Sequence, residues 1–226
     1  MAKLFLFDVD KTLVDSRGAG GRAMTAAFAQ LFGIDDGFAG IDFAGRTDTA
    51  IFRDAVGVHS LDGEFPALLA RFQEAYYSTL PRTLAEVQAH VLPGVREVLA
   101  GLQEAPGAFL GLATGNFREA ARLKLEHFGL YDSFLAGGYA DDSEDRAELV
   151  AVAIERLAEA SGGHGPREVY IIGDTPLDIA AAQANGARSV AVATGFFTVD
   201  QLTAAGAGLV FPDFSSWQAV LDALLG

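Results

Sequence analysis

The feature that most constrains this chain is an alternation of two patterns: short apolar runs, and Ala- and Leu-rich segments with helical spacing. The apolar runs cover residues 3–7, 109–114, 134–139, 169–173, 189–194 and 208–211. Each is short and apolar throughout, as expected of a strand buried on both faces. The helical segments between and after them cover residues 94–104, 117–128, 146–160, 176–184 and 214–225. Strands alternating with helices predict an α/β fold, a parallel sheet with helices on both sides. In such sheets ligands bind at the carboxyl ends of the strands.

One stretch interrupts the alternation. From about Ser16 to His90 the pattern is helical, over residues 17–32, 47–56 and 62–78, with no strand run. An insertion directly after the first strand would sit over the strand ends as a cap. The expected division is a core of residues 1–15 and 91–226 and a cap of residues 16–90. Gly18, Gly20 and Gly21 mark one joint, and Leu92, Pro93 and Gly94 the other.

Composition narrows the function. The formal net charge is −14, which argues against a nucleic-acid partner or an anionic membrane surface, since both need a basic face. An acidic chain can still bind a small anion where a metal and a few Arg or Lys residues gather. The absence of cysteine excludes disulfides, thiolate catalysis and zinc–thiolate sites, and fits a cytoplasmic protein. The N-terminal apolar run, Leu4 to Phe7, is too short for a signal-peptide core, and no segment is long and apolar enough to span a membrane. The sequence sets no oligomeric state.

Three strand ends carry chemistry. The first, FDVDKTLVDS, places Asp8 and Asp10 after the first strand. Such a pair can bind a divalent cation, divide acid and base roles or supply a nucleophile; it can equally be a solvated strand end. The second, LATGN, offers the Thr114 hydroxyl, and the backbone N–H groups of Gly115 and Asn116 at a helix start suit an anion. The third, GDTPLD, has Thr175 as a helix N-cap, Pro176 at the first helical position and Asp178 in the first turn. Capping explains Asp178 but not Asp174, a carboxylate closing a buried strand.

Together these motifs resemble those of the haloacid dehalogenase superfamily, in its helical-cap subclass of phosphoglycolate phosphatase-like hydrolases. The likeness rests on Asp8, Asp10, Thr12 and Leu13, then Thr114, then Gly173, Asp174 and Asp178, and spans essentially the whole chain. It implies a Rossmann-like sheet with an inserted helical cap, a Mg2+ cofactor and a small phosphorylated substrate. It further implies that Asp8 attacks phosphorus to form an aspartyl phosphate, and that Asp10 protonates the leaving oxygen and then activates water. The metal would lie between an Asp8 oxygen, the Asp10 carbonyl and Asp174. Thr114, Gly115 and Asn116 would hold phosphate oxygens, with Asp178 behind them.

The sequence departs from that pattern in two places. Where a Lys is usual after the third strand stands Asp145–Arg146, within a run in which Ser143 can cap the following helix. Arg146 is the preferred substitute cation, a surface Arg paired with nearby acids being the alternative. Lys124, in mid-helix, is expected on a solvated face. Lys11 replaces a residue that is more often Gly, and either points to solvent or adds charge at the mouth of the site. In the cap, Arg46 within GRTD either grips a second anionic group of the substrate or is merely exposed. His59, His90, His127 and His164 share no ligand spacing, and the aromatic residues read as core. The leading function is a phosphomonoester hydrolase. The alternatives are a phosphosugar mutase of the same fold, a haloacid dehalogenase, which Asp10 and Asp174 oppose, and an inactive binding protein.

Overall fold

All six apolar runs contribute strands to one parallel sheet in the computed structural model, which describes residues 2–162 and 167–226. In chain order the strands are β1 (Ala2–Phe7), β2 (Val14–Asp15), β3 (His90–Val91), β4 (Ala108–Ala113), β5 (Ala136–Gly138), β6 (Arg167–Gly173), β7 (Arg188–Val192) and β8 (Leu209–Phe211). The helices are α1 (Ala19–Phe32), α2 (Asp48–Val58), α3 (Phe65–Ala85), α4 (Val95–Glu104), α5 (Arg118–His127), α6 (Arg146–Ala160), α7 (Pro176–Ala184), α8 (Val199–Ala204) and α9 (Trp217–Leu225). The sheet order is β5-β4-β1-β6-β7-β8. His164 lies outside the described residues.

β1 is central because it is apolar on both faces. Phe5 and Phe7 enter one core cluster with residues of α4, α5 and α9, and Leu4 and Leu6 enter another with residues of α6 and α7. All four are fully buried, and each contributes about 1.5–3 kcal/mol by leaving water. After β1 the chain builds β4 and β5 to one side and then crosses to β6 on the other. That reversal opens a crevice at the carboxyl ends of β1, β4 and β6.

The helices α1, α2 and α3 lie between β2 and β3, a two-residue antiparallel pair joining Val14 to Val91 and Asp15 to His90. An aromatic cluster of Phe28, Phe38, Phe52, Phe72 and Tyr76 holds these helices together, and Phe117, Ala120 and Ala140 extend it onto the sheet layer. The chain is thus an α/β fold with a parallel-sheet core and an inserted helical cap. Among the described residues, no helix is long and apolar enough to cross a membrane.

Several details differ from expectation. α3 continues past Ser78 and through Pro81, because Leu80, Thr83 and Leu84 are buried and the Thr83 hydroxyl donates to Ala19 O at 3.2 Å. Gly20 and Gly21 are helical, so only Gly18, with φ 75°, is a turn at that joint. The run at 134–139 yields only three strand residues, at the sheet edge, and Leu135 beside them is exposed. The short helix α8 was not expected, although Thr198 and Gln201 form its capping box.

Gly94, at φ 76°, tests how closely the second joint is built. A Cβ there would lie 1.7 Å from the Phe214 carbonyl oxygen. Gly94→Ala is expected to lower the free energy of unfolding by about 3 kcal/mol in urea denaturation, since both φ and the backbone contact must give.

Candidate active site

The carboxyl ends of β1, β4 and β6 deliver Asp8, Thr114 and Asp174 to one place, because these strands are neighbours in register: Phe7 pairs with Leu112 and Ile172. Carboxylate oxygens of Asp8, Asp174 and Asp178 lie within 4.8 Å of one another. All three residues are buried. Burial pushes the Asp8 carboxyl up to about 6 against the pull of Arg146 and Thr114. Burial also pushes Asp174 to about 9, aided by Asp178 and Asp8.

Arg146 is the counter-charge. Its guanidinium lies 3.2 Å from Asp8 and 2.5 Å from Asp178. Burial opposes its charge, but Asp178 and Asp8 hold it protonated, above the ordinary Arg value. The surface alternative for Arg146 is thereby excluded. Asp145, not Ser143, caps the helix: its side chain accepts from Ala147 N and Glu148 N. Asp178 takes Arg146 with one oxygen, and with the other takes the N–H and hydroxyl of Thr175. Its capping role was legible in the sequence; its grip on Arg146 was not.

Asp10 sits in a separate net. One oxygen accepts from Ser16 Oγ at 2.7 Å. The other accepts from Asn116 Nδ2 at 3.0 Å and Lys124 Nζ at 2.5 Å. Burial would raise the Asp10 pKa, but Lys124, with Ser16 and Asn116, outweighs it and holds the carboxyl below its ordinary value. This corrects two expectations. Lys124 is 3% exposed and is not on a solvated face. α3 covers that side of α5, and Tyr76 and Tyr77 pack on Phe117, so the cap removes the water a bare sheet layer would leave there. Asn116 is committed within the site: its side-chain amide bridges Asp10, Thr114 Oγ1 and Lys124 Nζ, and its backbone N–H, the group expected to meet an anion, donates to Thr114 Oγ1 at 3.3 Å.

Lys11 borders the cavity and is partly exposed. It has φ 61°, a left-handed conformation in which Gly is the unstrained residue. Its Nζ pairs with Asp15 at 2.8 Å, an acid it shares with Arg17 at 3.2 Å. Arg46 borders the cavity and likewise pairs with Asp54 at 2.8 Å.

Three residues were missed by sequence reasoning. Ser16 holds Asp10. Gly195 packs its backbone on Asp174, where a Cβ would lie 1.8 Å from the carboxylate oxygen. Asp48, the first residue of α2, ties cap to core: its carboxylate accepts from Phe117 N at 2.9 Å and its N–H donates to Gly115 O at 2.7 Å. An acid in a first helical turn has an ordinary electrostatic explanation, which hid it.

The donor set suits a hard divalent cation. The Asp174 carboxylate makes no hydrogen bond among the described residues and burial lifts it to about 9, so without a cation it holds a proton, and a hard cation in its place would let it ionise. The Asp10 carbonyl is also uncommitted among them, since Lys11 N bonds Val14 O and Val14 N bonds Val9 O. Asp178 is already committed to Arg146 and Thr175.

Comparison with known proteins agrees with this geometry. Residues 2–186 match the family model of haloacid dehalogenase-like hydrolases. A phosphoglycolate phosphatase of Rhodospirillum rubrum is 32% identical, over 96% of this chain and 89% of that protein. One from Escherichia coli K12 is 29% identical, over 84% of this chain and 81% of that protein. The crystal structure of CbbY from Rhodobacter sphaeroides in complex with phosphate matches with a TM-score of 0.74 at 22% identity, over 98% of this chain and 100% of that one. The chain belongs to the haloacid dehalogenase-like hydrolase family. It is an enzyme, a phosphatase, as its motifs suggested.

Asp48 gives a pH test. Burial raises its carboxyl from 3.8 to about 7. The folded state therefore binds the proton more tightly than the unfolded state. The resulting stabilisation is complete below about pH 4 and is lost as pH rises through the folded value near 7. Asp48→Asn keeps an oxygen for Phe117 N–H and carries no charge. Its stability relative to wild type should grow by about 1.4 kcal/mol per pH unit between pH 4 and 7, then level off, in urea denaturation with chelator present.

Proposed function

We propose that this enzyme hydrolyses a small phosphorylated metabolite with Asp8 as nucleophile, Mg2+ as cofactor and Asp10 as acid and base. The observation that carries the reading is Asp8 itself, a buried carboxylate shared between Arg146 at 3.2 Å and a second, unpaired carboxylate, Asp174. Acids raised by burial and gathered beside a fixed cation in a cleft are the arrangement found at functional sites. Asp8, Asp174 and the Asp10 carbonyl would hold Mg2+, and the bound metal would offset the repulsion between a carboxylate and a phosphate dianion.

The chain's own residues then account for each step. The Asp8 carboxylate attacks phosphorus and the ester P–O bond breaks, its electron pair leaving with the alcohol oxygen. Asp10 donates the proton that this oxygen takes, and because Lys124 holds the resting carboxyl ionised, that proton passes to Asp10 from the Lys124 ammonium hydrogen-bonded to it. In the second half Asp10 takes a proton from water, whose oxygen attacks the phosphorus of the aspartyl phosphate and frees Asp8 and phosphate. Arg146 fixes Asp8 and faces the phosphoryl group, while Thr114 and the Gly115 N–H receive phosphate oxygens. Residues 16–90 act as the cap and exclude water from the acyl phosphate, and residues 1–15 and 91–226 are the core. We place the enzyme in the cytoplasm and assign it no nucleic-acid or membrane partner, on its net charge of −14 and cysteine-free composition.

Release of inorganic phosphate from a panel of small phosphate esters tests the reading. Asp8→Asn should lower turnover by at least ~10³-fold and abolish the phosphoenzyme, since an amide cannot attack. Chelation should remove activity and Mg2+ should restore it. Substantial turnover by Asp8→Asn, or full activity after exhaustive chelation, would overturn the nucleophile or metal assignment respectively.

The two cations should separate by step. Arg146→Ala is expected to cost about 2–4 kcal/mol in kcat/KM, as loss of one fixed electrostatic contact, with Arg146→Lys retaining more activity. Lys124→Met should lower kcat more than it alters KM, because it releases Asp10 and leaves the phosphate groups in place. With an aryl phosphate, whose leaving group needs little protonation, Lys124→Met should show a burst followed by slow turnover. Stopped-flow absorbance checks this.

A further inference from the structure

The protein carries a net charge of −14, yet one edge of the cavity in front of Asp8 has a surplus of positive charge. Lys11 and Arg17 both border that cavity, which has a volume of about 320 Å³. They share one acid. Lys11 Nζ lies 2.8 Å from one oxygen of Asp15, and Arg17 Nε lies 3.2 Å from the other. Burial opposes the Asp15 charge, but Lys11 and the Arg17 N–H hold its carboxyl below the ordinary value, so it counts as one full negative charge. Arg22 adds a third cation, and its guanidinium donates to Arg17 O at 2.8 Å. Among the described residues, Asp15 is the only ion-pair partner of these three cations.

The other cations that border the cavity have acids of their own. Arg46 pairs with Asp54 at 2.8 Å, Lys124 with Asp10 at 2.5 Å, and Arg146 lies between Asp8 and Asp178. Arg46 is the cation the sequence suggested for a second anionic group, but the unbalanced charge stands at Lys11 and Arg17.

That charge is open to a ligand. The Lys11 and Arg17 side chains are 33% and 58% exposed, while that of Asp15 is 9% exposed. Both residues hold left-handed backbones, with φ 61° and 50°, in which Gly is the unstrained residue. The turn at Lys11 is held in place, since its carbonyl accepts from Thr194 Oγ1. Strain of this kind gathers at ligand sites, and here it carries the two cationic side chains. One carboxylate cannot satisfy both cations, so an arriving anion gains contacts without stripping Asp15 away. Met24, Phe43 and Ile51 of the cap wall the same cavity, so a short carbon spacer has apolar side chains to lie on.

We propose that the substrate carries a second anionic group, a carboxylate or a second phosphate, and that Lys11 and Arg17 bind it. The grip sits on the loop after β1 and at the joint to the cap, not at Arg46. The proposal rests on the phosphatase reading and adds to it the substrate class and the residues that select it.

Matched esters test it. Phosphoglycolate, 3-phosphooxypropanoate and propane-1,3-diyl bisphosphate carry a second anion, propyl phosphate carries none, and an aryl phosphate is the control. For the wild-type enzyme, kcat/KM for the best of the first three should exceed that for propyl phosphate by at least about tenfold, and added salt should narrow the gap. Any order among the three supports the proposal, and that order tells carboxylate from phosphate. Lys11→Met and Arg17→Met should each lose about tenfold on the second-anion esters, chiefly as raised KM, and less than about threefold on propyl phosphate. Asp15→Asn keeps an oxygen for the Arg17 N–H and removes the competing charge. It should lower KM for the second-anion esters by at least about threefold, a gain that a purely structural role for the trio would not produce. Equal kcat/KM with and without a second anion, in an enzyme that hydrolyses the control, overturns the proposal and leaves the phosphatase reading standing. A preference lost in Arg46→Ala but kept in Lys11→Met and Arg17→Met overturns it in favour of a grip from the cap. Equal losses on every ester in Lys11→Met and Arg17→Met overturn their selective role. Wild-type enzyme that hydrolyses none of the esters, the control included, overturns the phosphatase reading and this proposal with it.

Discussion

The crowding of carboxylates at the ends of β1 and β6 is the constraint on which the rest of the structure depends. Asp8, Asp10, Asp174 and Asp178 converge there, and Asp48 descends from the cap beside them. Left alone in a low-dielectric cleft, such a group would take up protons or unfold the site. Two buried cations oppose this, and they divide three of the acids between them. Arg146 serves Asp8 and Asp178, while Lys124 serves Asp10. The division has a chemical consequence. The proposed nucleophile and the proposed proton carrier have different counter-ions on different helices, so either can be perturbed without the other. Asp174 has neither cation, which is why it is the residue best suited to the metal.

The cap is part of the electrostatics as well as a lid. Lys124 stands on a sheet-layer helix but is dry only because α3 lies over it. Asp48 stands on a cap helix but its carboxylate is satisfied only by a core backbone N–H, that of Phe117. The cap therefore keeps water from a core ion pair, and the core supplies the partner of a cap carboxylate. A cap that moved away would expose the Lys124–Asp10 pair to water and weaken it, and would release Asp48 to ionise freely. Cap position and the state of Asp10 are coupled through α5, with no contact needed between cap and nucleophile.

Much of this was legible in the sequence, and the rest was hidden for identifiable reasons. The apolar runs are buried strands because a parallel sheet is covered on both faces, so β1, β4, β6 and β7 could be read directly. The site residues that close those strands could be placed because ligands bind at the carboxyl ends of a parallel sheet and because the motifs resemble those of a known family; the strand order, with β1 between β4 and β6, was not read from the sequence. Lys124 could not be placed. Its neighbours in the sequence make it a solvated helix residue, and only the tertiary cover of α3 reverses that. Asn116 was misassigned because its motif position suits an anion pocket, whereas its actual partners are Asp10, Thr114 and Lys124. Pro81 argues for a helix end on local grounds, and the burial of Leu80, Thr83 and Leu84 overrides it. The capping box of α8 was readable, but six residues are too few to show a helical period.

Tyr76 shows a further limit of pattern reading. Its ring stacks on Phe72 at 6.0 Å between centroids and meets Phe117 edge-on at 6.3 Å, so by every hydrophobic criterion it is a core residue. A Phe would fill that volume without leaving a buried hydroxyl unpaired. The retention of a Tyr where a Phe packs equally well is therefore unexplained by folding. A Cβ on Gly20 would meet both Lys124 Nζ at 3.1 Å and the Tyr76 hydroxyl at 3.4 Å, so the atom is enclosed where the cap meets α5, and leaving it unpaired is a cost of that close joint.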